Sequence, residues 1–200
     1  MANRILTVPN QLTFMRLGFL PFFIILVLYR RYSWALAILV LAALTDGLDG
    51  LLARTLHQKS ALGAYLDPIA DKLLLSSSFV ALALEGQIRW WLTILVLGRD
   101  VLILITAAVI LATLGYRPFP PSIFGKITTS LEILLVFVVL LLAAFHRQGY
   151  GYKDEHFLAT ARQTLGYLVA GFTIFSGFHY SVVVARRLSQ PQEAPHAAKD

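Results

Sequence analysis

Two hundred residues that are 58% apolar and only 14% charged, with a mean hydropathy of +0.70, exclude an ordinary soluble enzyme, a disordered chain and a coiled coil. Soluble domains carry about 45–50% apolar and about 25% charged residues. The apolar runs outlast any strand, which also excludes an outer-membrane barrel, and the net charge of +6 fits Lys and Arg facing anionic lipid better than it fits nucleic acid.

In chain order, Val8 to Arg16 mixes polar and apolar residues behind Pro9-Asn10 and predicts a short interfacial helix. Six membrane spans follow, at 17–29, 33–53, 63–84, 91–113, 127–145 and 164–185. The first apolar stretch ends on Arg30-Arg31 without a small-residue cleavage site, so it reads as a span and not as a removed leader. Polar or Gly/Pro-rich turns separate the spans, and Trp90-Trp91 reads as an aromatic belt anchor. The expected organisation is an all-α, polytopic membrane domain over residues 1–188 and a disordered tail over 189–200.

With an even number of spans both termini share one side. That side collects ten Lys and Arg against six on the other, which predicts cytoplasmic termini in a multi-pass protein of the cell (inner) membrane. The chain has no cysteine, so disulfide, thiolate and Cys-zinc chemistry are excluded.

The acids are placed unusually. Asp46, Asp49, Asp67 and Asp71 lie inside membrane-like text, where each central Asp costs ~2.5–3.5 kcal/mol. Asp46 and Asp49 are spaced i, i+3 and Asp67 and Asp71 i, i+4, so each pair shares a helix face. The short link between the second and third spans predicts antiparallel neighbours. Two facing carboxylate pairs make an oxygen cage for two hard divalent cations that clamp a phosphoryl group. Gly47, Gly50 and Gly63 interrupt the helices beside the acids, either for close packing or for ligand approach. Arg54 offers a fork-shaped cation to a phosphate or snorkels to the interface.

The stretch Asp46-x2-Asp49-Gly50-x2-Ala53-Arg54-x8-Gly63-x3-Asp67-x3-Asp71 resembles the signature of the CDP-alcohol phosphotransferases at all eight fixed positions. Pro9-Asn10-x-Leu12-Thr13-x2-Arg16, Asp67-Pro68-x-Ala70-Asp71-Lys72 and Gly125-Lys126 look like its phosphatidylglycerol-forming branch. The resemblance implies six membrane helices in a homodimer, CDP-diacylglycerol as donor, and two divalent cations, Mg2+ or Mn2+, on the four Asp residues. It implies Asp71 as general base, and Gly50, Ala53, Arg54 and Gly63 around the CDP portion.

The acceptor it implies is glycerol 3-phosphate first, with phosphatidylglycerol as the alternative. Family members that use glycerol 3-phosphate carry Arg-Glu in span four, a further Arg, and two Lys near span five. This chain has Arg99-Asp100 and Lys126 followed by Thr128, which look more like the eukaryotic-type cardiolipin synthases. Arg99 and Lys126 are the candidate acceptor ligands, although Arg99 could equally pair with a carboxylate, and Asp100 and Glu132 could partner it or lie near the interface. A reading from another class is a divalent-cation transporter lined by the same acids, although no polar path runs through the full depth.

Overall fold

Each apolar run closes into a helix because the bilayer-like text supplies no other partner for the backbone amides. The computed structural model describes residues 8–56, 61–114, 123–147 and 155–188. It contains α1 (Val8–Leu28), α2 (Tyr32–Leu56), α3 (Ala61–Leu84), α4 (Trp90–Leu114), α5 (Ile123–Arg147) and α6 (Glu155–Leu188), with no strand among the described residues. The described residues are therefore all-α, with six helices where six spans were expected. The tail 189–200 lies outside the described residues. By length and composition, one described stretch, Ile123–His146, is long and apolar enough to cross a membrane by itself.

The separate interfacial helix is corrected. α1 runs without a break from Val8 through Pro21 to Leu28. No Gly-Pro pair or helix-stop signal separates Arg16 from Leu17, so a continuing helix satisfies the backbone better than a break would.

The core is a set of helical stripes. On α5, Leu135, Val136, Val139, Leu140 and Ala143 are buried at i, i+1, i+4, i+5 and i+8, one face of a 3.6-residue period. They meet Phe23 and Val27 of α1, Leu39 of α2, Phe79 and Leu82 of α3, Val96 of α4 and Val169 of α6 in one cluster. Thr93 Oγ1 donates to Phe79 O at 3.4 Å and Thr128 Oγ1 donates to Phe172 O at 3.3 Å, tying α4 to α3 and α5 to α6.

The contact expected between α2 and α3 falls on the residues nearest their link, 46–69, which lie outside the described side chains. Among the described residues α1 packs against both of them, and so does α5, while α2 and α3 share no direct packing. A cavity of about 610 Å³ lies between their described parts and α5, lined by Leu39, Val40 and Leu44 with Ala42 and Ala43, by Lys72, Leu74 and Leu75, and by α5 residues including Ile133 and Phe137. Small side chains on this face (Ala42 and Ala43) leave space that a bulkier pair would close.

The far ends of α1 and α3 close in the same way. Gly86 takes φ +68°, and its N–H and that of Gln87 donate to Ala83 O and Leu82 O at 3.0 and 2.8 Å, a Schellman-type cap. Arg30 takes φ +59° at the end of α1, and its Nε donates to Glu85 Oε2 at 2.7 Å, linking the two caps. An added Cβ at Gly86 would meet nothing within 4 Å, so the cost of Gly86→Ala is purely conformational. That substitution is expected to cost about 1 kcal/mol and to lower Tm by ~2–4 °C in a detergent melt; an unchanged Tm would show that the cap bears no strain.

Candidate active site

The four acids fall on two helices at matched heights. Asp46 and Asp49 precede the end of α2 at Leu56 by ten and seven residues, and Asp67 and Asp71 follow the start of α3 at Ala61 by six and ten. At 1.5 Å per residue the outer members of both pairs stand about 15 Å from the link that joins the helices. Both pairs thus belong to one end of the bundle and one depth. Their side chains, with those of Gly50, Ala53, Arg54 and Gly63, fall within residues 46–69 and 71, outside the described side chains. The backbone of all eight positions is helical.

The donor set fits divalent cations. Four carboxylates carried by two helices are the hard oxygen ligands that such ions take.

Directly beside this level lies a charged cluster inside the bundle. Lys72 Nζ of α3 donates to Asp100 Oδ1 of α4 at 2.7 Å, and Arg99 Nη1 donates to the same oxygen at 2.8 Å. Arg99 Nη2 reaches Ser176 Oγ of α6 at 3.2 Å. The Arg99 stem passes Gly177, whose absent side chain leaves its Cγ 3.8 Å from where a Cβ would be. Glu132 of α5 is fully buried, interacts electrostatically with Lys72, Asp100 and Arg99, and finds no hydrogen-bond partner for either oxygen. Asp100 Oδ2 and Arg99 Nε are likewise unpartnered. Two cations and two carboxylates from three helices therefore balance one another, with spare hydrogen-bonding capacity on both signs.

The two readings of Arg99 are separated by this geometry: it pairs with a carboxylate, its own neighbour in sequence. Lys126 is exposed on α5 and takes no part in the described network. The residue that sequence reasoning passed over is Lys72. It stands one position after Asp71 inside the apolar text Leu73-Leu74-Leu75, and a lysine so placed demands a counter-charge. Asp100, 28 residues on, was the signal. Successive helical residues are 100° apart, so pinning Lys72 to α4 also fixes the rotation of α3 at the turn that carries Asp71.

Comparison with known proteins gives a match to the family model described as CDP-alcohol phosphatidyltransferase over residues 6–175. A protein of Streptomyces coelicolor named cardiolipin synthase (CMP-forming) is 34% identical over 195 residues, covering 92% of this chain and 86% of the relative. The rat protein of the same name is 32% identical over 192 residues, covering 87% of this chain and 61% of the relative. A probable phosphatidylglycerophosphate synthase of Mycobacterium tuberculosis is 34% identical over 153 residues, covering 72% and 71%.

Proposed function

Since the chain belongs to the CDP-alcohol phosphatidyltransferase family, whose members are membrane-associated and depend on divalent cations, we propose that it is the member that hands a phosphatidyl group from CDP-diacylglycerol to phosphatidylglycerol. It is a CDP-diacylglycerol-dependent phosphatidyltransferase of phospholipid synthesis in either case. The acceptor hydroxyl forms a bond to the phosphorus that carries the diacylglycerol, the bridging P–O bond breaks, and CMP leaves.

The observation that carries the acceptor assignment is the shared oxygen of Asp100. A small phosphorylated acceptor needs several uncommitted cations. Here Lys72 and Arg99 both spend their charge on Asp100 Oδ1, which leaves a pocket with no uncommitted cation. A phosphatidylglycerol headgroup presents a neutral glycerol end, and such a pocket suits it. The apolar cavity between α2, α3 and α5 starts beside the acid-bearing turns and has the lining that acyl chains want.

Asp46, Asp49, Asp67 and Asp71 would hold two cations, Mg2+ or Mn2+, which when bound offset the charge of the diphosphate. Asp71 takes the proton from the acceptor hydroxyl. Gly50, Ala53, Arg54 and Gly63 hold the CDP portion, the glycines by letting it approach the backbone and Arg54 by its fork. Arg99 acts through Asp100 on the acceptor pocket, and Lys126, exposed on α5, is the second candidate acceptor ligand.

All six helices are proposed as spans of one domain, residues 1–188, with a disordered tail beyond. Each is 21 to 34 residues long. Large apolar side chains such as Phe22, Trp34, Leu84, Ile94, Ile133 and Phe178 face outward from all of them. A soluble surface would not carry that area. The distribution of Lys and Arg supports cytoplasmic termini and a cytoplasmic active site in the inner membrane. The lipid-facing surface can also seat a second copy in a homodimer.

The test supplies labelled CDP-diacylglycerol with Mg2+ or Mn2+ and either phosphatidylglycerol or glycerol 3-phosphate. Cardiolipin and CMP are expected from the first acceptor, and little CMP from the second. The glycerol 3-phosphate reading is kept alive by the similarity to the Mycobacterium tuberculosis relative. Phosphatidylglycerophosphate as the main product would establish it and overturn the phosphatidylglycerol assignment.

A further inference from the structure

At the end of the bundle opposite the acids lies a second polar cleft that the phosphatidyl transfer does not use. It opens where α3 ends at Leu84, thirteen residues past Asp71 and so about 20 Å from it along the helix axis. Its volume is about 280 Å³, below the ~300–1,000 Å³ of sites that enclose a whole small molecule. It therefore suits a headgroup and not an entire lipid.

The polar lining comes from three places: Gln87 and Arg89 in the α3–α4 turn, Trp91 at the start of α4, and Arg162, Gln163 and Tyr167 on α6. Leu92, Leu135 and Val139 form an apolar floor. No Asp or Glu is among the lining residues. The acid in the same turn, Glu85, is held by Arg30 at 2.7 Å. Arg162 Nη1 is oriented by Gln87 Oε1 at 3.4 Å, and Arg89 makes no ion pair among the described residues. Two guanidinium groups thus share one small cleft with donors in excess and, among the described residues, no carboxylate in its lining.

We infer that this cleft binds the phosphate group of an anionic phospholipid in the leaflet opposite the active site. Arginine forks match phosphate oxygens bidentately, and a phosphate removes the repulsion between the two like charges. The lipid source is favoured over free phosphate by the surroundings. Trp91 and Tyr167 stack at the mouth with ring centroids 5.8 Å apart, as aromatic rings do at headgroup level. Ile94 and Leu168, further along the same two helices, are exposed where acyl chains would run. The site lies where α4 meets α6 beside the α3–α4 turn, so an occupant would add to the Trp91–Tyr167 stack and the Arg162–Gln87 bond. The inference is independent of which acceptor the enzyme uses.

Native mass spectrometry of the whole protein released from detergent micelles reads the site directly, with dioleoyl phosphatidic acid or inorganic phosphate as probe. The parent chain is expected to retain phosphatidic acid, and Arg89→Gln/Arg162→Gln to lose retention by about tenfold or more. Its melt without lipid should match the parent or exceed it, because two repelling charges are gone. Arg89→Lys/Arg162→Lys, which keeps both charges, should recover most of the retention. Equal retention by the Gln variant, a Lys variant as weak as the Gln one, or occupancy by inorganic phosphate in place of the lipid would each overturn the assignment.

Discussion

Asp71→Asn is expected to lower CMP release from CDP-diacylglycerol by at least about 10³-fold while the protein still inserts and melts normally. The two side chains are nearly the same size, so packing changes little. The substitution removes a charge that the acceptor proton needs and that a divalent cation would balance. Asp46→Ala should have the same effect through the cation ligands alone, and chelation with EDTA should reproduce it in the parent protein. Four carboxylates at one depth of two helices repel one another, so removing one should leave Tm unchanged or raised. Full activity in either variant would end the proposal that these acids assemble the reaction centre. Cation flux through sealed vesicles lacking any CDP-lipid would instead favour the transporter reading.

The fold was legible in the sequence wherever one rule dominated. Runs of about twenty apolar residues bounded by Arg30-Arg31, Glu85-Gly86 and the Gly115–Pro121 segment gave six helices whose ends agree with the structure to within a few residues, apart from the longer α1 and α6. Two features were not legible, and for the same reason. That α1 continues across Arg16, and that it packs against both α2 and α3, depend on side-chain packing between distant segments. Hydropathy reports only which residues avoid water. A short link predicts adjacency in sequence and says nothing of a third helix wedged beside both.

The site divides along the same line. The spacing of Asp46, Asp49, Asp67 and Asp71 is local, so their helices and relative heights could be read directly. The pairing of Lys72 with Asp100 is not local, and only the cost of leaving a lysine unpaired beside Leu73 pointed to it. Arg99 shows the limit most clearly. A buried arginine reads equally well as a ligand for an anion or as half of an ion pair, and the decision rests on Asp100, which the sequence leaves open between a partner and an interfacial acid.

Asp100→Ala is expected to be the most destabilising single change in the cluster. Asp100 and Arg99 side chains are each 7% exposed, so their attraction is little screened. Removing the carboxylate leaves a guanidinium buried with only Ser176 Oγ as an accepting partner. Breaking a buried pair by deleting one member costs ~3–5 kcal/mol, which for a chain of this size is a fall in Tm of roughly 10 °C. Lys72, at 36% exposed, is partly screened and adds less. Glu132 cannot take over without moving, because neither of its oxygens hydrogen-bonds in the present arrangement. Two further variants separate charge from packing. Asp100→Ala/Arg99→Leu should recover much of the lost Tm, since no charge is then stranded at α4. It should not recover transfer to phosphatidylglycerol, because α3 has lost the contact that sets its rotation at Asp71. An Asp100→Ala protein that melts within 2 °C of its parent, by this ~3–5 kcal/mol reasoning, would mean that water reaches the cluster. The assignment of both cations to Asp100, on which the choice of acceptor rests, would then have no physical basis.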